Sequence, residues 1–235
     1  MKTFLIIGLV AFLANSLWAA SPKEQVTAAA KSLGEKANYS GTTTPKAEGG
    51  NPGRNMGPIE GKAEKDGYTY LLITPGGISV EVVMKGEKGA AKTLEGWQSF
   101  QEIEQAGGSG ASISRRLRKL KTPSAEAAEF VAKTKDLQEA DGAYAGELTE
   151  DGVKERLLLE ARRREGQEAP QISGAKGSVK FWLKDGALVK YEVTLQGKLN
   201  SGDREIEINR TVTVEIKDVG STKIDVPAEA LKSLS

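Results

Sequence analysis

The side chains that most hydrolases and zinc sites use are missing from this sequence. Its 235 residues include no histidine and no cysteine. Ser-His-Asp triads, Cys-His pairs and zinc sites built on imidazole or thiolate are therefore excluded. Any catalysis would have to use carboxylates, lysines, tyrosines or a metal held by oxygen ligands, which lowers the expectation of an enzyme.

The carboxylates form no pattern typical of an acid–base pair or a metal site. Glu150 and Asp151 begin a predicted helix, where acidic side chains stabilise the positive end. Glu205 and Glu207 lie on the polar face of a predicted strand. Asp203 belongs to a turn whose spacing does not complete a calcium-binding loop. We therefore expect no enzymatic activity, no metal and no cofactor, and a hydrolase using carboxylates is the least favoured function.

The N-terminus has the three parts of a secretory signal peptide. Lys2 is followed by an apolar run over residues 4–14 and by small residues at 19–21. A membrane-spanning helix needs ~20 apolar residues, so an uncleaved anchor is the weaker alternative. The sequence predicts a signal peptide over residues 1–20, one domain over residues 21–235, and a soluble protein in the periplasm or outside the cell. No cysteine is present for lipid attachment.

The charge balance gives no argument for a nucleic-acid partner. The chain has 33 basic and 32 acidic residues, and removing Lys2 makes the two equal. Nucleic-acid binding is typical of chains with a basic excess or a basic face. We therefore expect no nucleic-acid partner.

The first half of the chain predicts short antiparallel strands. Lys65-Asp66-Gly67 is typical of a hairpin between residues 59–64 and 68–74. Two further turn signals follow at residues 75–77 and 86–89, and apolar residues alternate between them. Turns about ten residues apart are typical of an antiparallel meander.

The last third has the most regular alternation. Apolar and polar residues alternate over residues 178–183, 189–196 and 205–216, which predicts long strands with one apolar and one polar face. Arg210 interrupts the apolar face. It either pairs with a carboxylate or a ligand headgroup, or it turns outward at a bulge or reaches the rim. An edge strand is predicted over residues 223–226, with a short helix from Pro227.

Helical spacing predicts the remaining elements. Helices are expected over residues 22–36, 94–103, 122–135 and 150–164. The order of helix, strands, helices and strands is typical of the α+β class. We expect a strongly bent antiparallel sheet with helices packed on its concave face.

Several segments resemble exported proteins of the LolA/LppX superfamily. They are GKAEKDGYTYLLI and VEVVMKGEKG in the first half, and DGAYAGELTEDGVKERLL, VKFWLKDGALVKYEVTLQGKL and TVTVEIKDVGSTKIDVPAEA in the second. The resemblance implies a half-open β-barrel with helices as a lid over a hydrophobic cavity. Members of that superfamily carry lipoprotein acyl chains or other lipids across the periplasm, and some related domains are envelope sensors. Arg210 cannot be matched to the arginines of the lipoprotein carriers.

This resemblance favours a lipid or an acylated protein as the ligand, held by the apolar sheet face and a short aromatic helix. The alternative is an ordinary core under packed helices, in a non-enzymatic interaction or sensor module of the cell envelope. Trp97 and Phe100 would form either a movable lid or a packed helix. The candidate lining residues are Val80, Val82, Met84, Trp97, Phe100, Val189, Tyr191, Val193, Leu195, Arg210 and Val212.

A basic stretch precedes the third predicted helix. It consists of Arg115, Arg116, Arg118, Lys119 and Lys121, with Leu117 and Leu120 interleaved. Such a stretch can bind anionic headgroups, at ~1 kcal/mol for each charge near the surface. The alternative is a solvated helix face or loop.

Overall fold

The computed structural model describes residues 20–47, 57–160, 170–201 and 204–234. The predicted signal peptide lies outside these residues except for its last position. The end of the helix predicted to reach residue 164 also lies outside them.

Eleven strands and six α-helices are present in the described part of the chain. The strands are β1 (Asn38–Ala47), β2 (Ile59–Glu64), β3 (Thr69–Ile73), β4 (Val80–Lys85), β5 (Lys88–Thr93), β6 (Gly96–Ser99), β7 (Gln138–Ala140), β8 (Ala143–Glu147), β9 (Gln171–Lys184), β10 (Ala187–Ser201) and β11 (Arg204–Lys217). The helices are α1 (Pro22–Glu35), α2 (Phe100–Ala106), α3 (Gly108–Leu117), α4 (Pro123–Ala132), α5 (Glu150–Glu160) and α6 (Ala228–Ser233).

All of these strands join one antiparallel sheet. Its order is β6-β5-β4-β3-β2-β1-β11-β10-β9-β8-β7. Every pair of adjacent strands is consecutive in the chain except the central pair, β1 and β11. The sheet is open, since β6 and β7 are its two edges. The predicted α+β class with one antiparallel sheet and packed helices is confirmed.

Two apolar clusters lie on one face of this sheet, here called the concave face. The first cluster packs beneath α1, α4 and α5, against β8 to β11 and the start of β1. The second cluster packs beneath α2 and α3, against β3, β4 and β5. The opposite, convex face is mostly polar, because the residues between the core positions are threonines, lysines and glutamates.

Local sequence signals explain where the helices begin. Ser21 and Glu24 form a capping box at α1, and Ser99 and Glu102 form one at α2. Backbone and side-chain hydrogen bonds from Ser21 hold the pKa of Glu24 below its ordinary value. The Thr122 hydroxyl accepts from the Ala125 amide at the start of α4.

The predicted hairpins are confirmed where they are described. Asp66 and Asp185 both have left-handed backbone angles, with φ of 56° and 51°. Aspartate is one of the few non-glycine residues that adopts this conformation readily, and each is followed by glycine. β2–β3 and β9–β10 pair across these turns.

Two sequence predictions about the elements are wrong. Residues 94–103 do not form one helix, since they contain a turn, strand β6 and only the start of α2. No strand forms over residues 223–226. These residues belong to an extended strap (residues 218–227) that leads to α6.

Helix α6 packs on the convex face, whereas the sequence predicted helices on the concave face alone. Ala230 and Leu234 pack with Val83 and Ala90, whose side chains lie on the convex face. The polar alternation is interrupted there, since Val82, Val83 and Met84 are three buried residues in succession. Both faces of β4 are therefore covered.

Adjacent residues of β9 test the assignment of faces. Phe181 is fully buried in the first cluster, whereas Lys180 is exposed on the convex face. We expect Phe181→Ala to lower the free energy of unfolding by about 3–5 kcal/mol. Lys180→Ala should change it by less than about 0.5 kcal/mol. Urea unfolding measures both, and equal effects would contradict the assignment.

Candidate functional site

The centre of the concave face is covered less completely than its two sides. α1 and α5 lie over β9 and β10, while α2 lies over β5 and β6. The strands between them carry a set of half-buried residues that we call the central strip. These residues are Gly41, Thr43 and Pro45 on β1, Ile59 and Gly61 on β2, and Arg210 and Val212 on β11.

Strand pairing places the central strip between the two clusters. Thr43 pairs with Val214 on one side and with Ile59 on the other, and Pro45 pairs with Val212. Because paired residues share a face, these side chains point in the same direction as the buried Val214. The strip is thus an apolar surface interrupted by the hydroxyl of Thr43 and by the charged Arg210.

Two positions of the strip have no side chain because they are glycines. Gly41 and Gly61 are directly paired on neighbouring strands. A Cβ at Gly41 would lie 2.6 Å from the carbonyl oxygen of Glu215, so close backbone packing requires glycine there. At Gly61 the nearest atom would be the Leu71 side chain at 3.4 Å, which is an ordinary contact. Glycine at 61 is therefore not required by sterics, and this position of the strip has no side chain.

Arg210 is the charged residue of the strip. It pairs with Leu195 on β10 and with Ala47 on β1, and its strand neighbours on the same face are Ile208 and Val212. The β10–β11 register is continuous through this position, so the side chain starts from the concave face. It is half-buried, and its Nε atom is buried. A guanidinium in this position can bind an anionic group, because an apolar setting strengthens such contacts.

Most of the predicted lining residues lie in the covered clusters. Val82, Met84 and Phe100 are buried in the second cluster, and Tyr191, Val193 and Leu195 are buried in the first. Val80 is half-buried beside the second cluster. Among the predicted residues, Arg210 and Val212 belong to the central strip.

Two predicted lining residues lie elsewhere. Trp97 is in β6 and pairs with Lys92, so it lies on the convex face, where it packs against α6. The register of β10 against β9 shifts between Leu188 and Lys190. As a result Leu188 is buried with the first cluster and Val189 is only half-buried. The extra residue of this bulge breaks the simple alternation on which the prediction rested.

A polar network lies under the helices of the first cluster. The Tyr191 hydroxyl donates to Glu126 on α4 at 2.6 Å, and Arg156 on α5 also pairs with Glu126. The side chains of Glu126 and Arg156 are only 16% and 25% exposed. The arginine also lies over the Phe130 ring. This network links α4, α5 and β10. Helix spacing alone did not reveal it, because its members are far apart in the sequence.

The basic stretch is divided between internal contacts and the surface. Arg118 pairs with Glu104 and lies over the Phe100 ring, and Lys121 pairs with Glu129. Arg115 and Lys119 are exposed, as is the neighbouring Leu120. The stretch therefore contributes partly to holding α3 and α4 in place.

Neither a metal cluster nor a membrane-spanning helix is found in the described residues. No group of three or more acidic side chains there is arranged to hold an ion. None of the described helices has the length and apolar content needed to cross a bilayer.

Three solved structures are similar to this chain at low identity. Lipoprotein LppX of Mycobacterium tuberculosis is 9% identical, with a TM-score of 0.49 over 88% of this chain and 98% of that chain. LprF of Mycobacterium bovis is 11% identical, with a TM-score of 0.49 over 90% and 100%. A LolA superfamily protein of Nitrosomonas europaea is 10% identical, with a TM-score of 0.32 over 92% and 98%.

The resemblance to LolA and LppX that the sequence predicted is confirmed as a resemblance. No protein-family model matches the sequence, and no curated protein matches it. With TM-scores below 0.5, these likenesses carry no argument about function, which has to come from the residues themselves.

The Tyr191–Glu126 bond predicts an alkaline loss of stability. Burial, and next the Glu126 carboxylate, raise the pKa of Tyr191 well above its ordinary value. The unfolded chain releases this proton near pH ~10, while the folded chain retains it. Stability from this group is therefore complete below that pH and falls as the pH rises above it.

We expect Tyr191→Phe to cost about 1–2 kcal/mol at neutral pH and less at about pH 11. Urea unfolding at the two pH values measures this. Phe130→Leu removes a ring contact of Tyr191 without a titrating group, so its cost should not depend on pH. A pH-independent cost for Tyr191→Phe would refute the linkage.

Proposed function

We propose that this protein is a non-enzymatic carrier that binds a lipid or another amphipathic ligand on the concave face of its sheet. The central strip is the observation that supports this function. It is half-buried between two helix-covered clusters, it is apolar apart from Thr43 and Arg210, and its two glycines add no side chains to it. Covering such a strip is favourable, because each buried methylene stabilises by ~0.8 kcal/mol.

The proposed mechanism is partition rather than chemistry. An acyl chain lying along the strip gains the same ~0.8 kcal/mol for each methylene removed from water. Arg210 lies within the strip and would contact an anionic headgroup. The ligand is then oriented by one charge and held by apolar area, with no bond made or broken.

Export supports this role. The predicted signal peptide would deliver the chain to the periplasm or beyond, and the sequence contains no cysteine for a lipid anchor. Acyl chains need a carrier where they must cross water.

The main alternative is an interaction or sensor module with a fully packed core. The two buried clusters favour this alternative, because helices cover most of the predicted lining residues. The two functions differ in one respect that can be measured, which is whether a ligand occupies the central strip.

Neighbouring threonines of β1 give a matched test of the carrier. Thr43 lies on the concave face and Thr44 on the convex face. We expect Thr43→Phe to lower the affinity for a fluorescent fatty acid by about tenfold, since it displaces two or more methylenes. Thr44→Phe should leave it unchanged. Fluorescence titration and native mass spectrometry measure the two variants.

Gly61→Val tests whether the missing side chain at this position serves ligand binding or is needed for the stability of the strand. A valine there should raise the free energy of unfolding by about 0.5–1 kcal/mol, because glycine is unfavourable inside a strand. The same substitution should weaken fatty-acid binding. A wild-type protein that purifies without bound lipid and binds no probe would exclude the carrier and favour the packed module.

The exposed part of the basic stretch supports contact with an anionic membrane surface. Arg115, Lys119 and Leu120 are exposed together at the end of α3. We expect Arg115→Glu with Lys119→Glu to weaken binding to phosphatidylglycerol vesicles by roughly tenfold or more, at ~1 kcal/mol per charge. Co-sedimentation measures this. Lys31→Glu with Lys180→Glu alters the net charge equally at exposed sites elsewhere, and an equal loss in that variant would argue against a specific surface.

A further inference from the structure

A pocket lies on the convex face, on the other side of the sheet from the central strip. Its volume is about 490 Å³, within the ~300–1,000 Å³ typical of small-molecule sites. Strands β1, β2 and β3 form its floor, and the beginning of the strap forms one wall. Neither the alternation of the strands nor the carrier function accounts for this pocket.

The wall of this pocket is held in place by hydrogen bonds. The Ser40 hydroxyl on β1 donates to the Asp218 carboxylate at 2.6 Å, and the Gly220 amide donates to the Asn38 carbonyl at 2.9 Å. The Thr222 hydroxyl donates to the Asp218 carbonyl at 2.8 Å. These bonds fix the first turn of the strap against the sheet, so the pocket is preformed.

The far end of the strap is fixed as well. Val226 packs with the α6 residues Ala230 and Leu234 against Val83 and Ala90. The Ser233 hydroxyl donates to the Trp97 carbonyl at 3.1 Å. Because the strap is held at both ends, it does not collapse onto the sheet and the pocket beneath it stays open.

Strand register arranges the pocket side chains in two rows. Lys217, Ser40, Lys62 and Tyr70 pair across four strands and form the first row. Thr42, Glu60 and Leu72 form the second row, two residues along each strand or ~7 Å away. Lys223 of the strap lines the same space.

The lining carries three lysines, Lys62, Lys217 and Lys223, and two acids, Glu60 and Asp218, which leaves a net charge of +1. Lys217 pairs with Glu215 at 3.1 Å. Among the described residues, Lys62 and Lys223 form no ion pair within 4.0 Å. Glu60 lies beside them in the second row, so the pocket offers ammonium donors next to a carboxylate acceptor.

We propose that this pocket binds a small acidic sugar, of the uronate or sugar-phosphate class. The anionic group would bind Lys62 and Lys223 through charge-assisted hydrogen bonds. The sugar hydroxyls would donate to Glu60 and Asp218. The C–H face of the ring would lie on Tyr70 and Leu72, the aromatic and aliphatic members of the lining. A neutral sugar lacks the first contact, and inorganic phosphate lacks the other two.

Titration of the isotope-labelled protein with glucuronate and with glucose 6-phosphate tests the site by NMR. We expect amide shifts over residues 40–42, 60–62 and 218–223. Lys62→Gln with Lys223→Gln should weaken binding by about tenfold or more, because charge-assisted hydrogen bonds are lost. Lys31→Gln with Lys180→Gln is the control of equal charge change and should bind like the wild type.

Each other outcome would overturn the proposal. An equal loss in the control variant would mean nonspecific attraction, and shifts elsewhere would mean a different site. Glucose binding as tightly as glucuronate would remove the role of the lysines. Phosphate binding as tightly as glucose 6-phosphate would leave an anion site without sugar recognition. Binding of a fatty-acid probe is measured separately. Its loss would count against the carrier function of the concave face and would not bear on the sugar site.

Discussion

The pairing of β1 with β11 is the interaction on which the rest of this structure depends. It is the one place in the sheet where strands distant in the chain lie side by side, with Ser40 opposite Lys217 and Ala47 opposite Arg210. On one side of it the chain forms the meander β2 to β6, and on the other the strands β7 to β10. Without this pair the two halves would be separate sheets with two exposed edges each. Such a non-local contact forms slowly, because loop-closure entropy opposes it.

The same pairing explains where the two proposed binding surfaces lie. Each half of the sheet brings its own helices and its own apolar cluster. The junction of the halves receives fewer helix contacts, so its concave face remains half-buried. The junction also places the end of β11 beside β1, and from there the strap runs across the convex face towards α6. Both surfaces therefore arise from one topological feature.

Alternation and turn chemistry predicted much of the sheet from the sequence. The long strands β9 to β11 and the aspartate–glycine hairpins followed from period-two patterns and from residues that tolerate left-handed angles. Spacing gave a wrong prediction where two different structures have the same spacing of apolar residues. A spacing of three through Leu94, Trp97 and Phe100 fits one helix, but it also fits a turn, a strand and a helix start in succession. The bulge near Leu188 and the pairing of Glu126 with Arg156 depend on neighbours from distant segments, which periodicity does not show.

The Gly41–Gly61 pair connects the two faces of the junction. Both glycines belong to the central strip, and both also line the convex pocket, so one layer of backbone separates the two surfaces. Gly41 is there because β1 and β11 approach too closely for a Cβ. Gly61 has no such reason, and a strand glycine is less favourable than a larger residue by roughly 0.5–1 kcal/mol. At this point the strip and the pocket are thus separated by backbone alone, in a strand that glycine makes less stable.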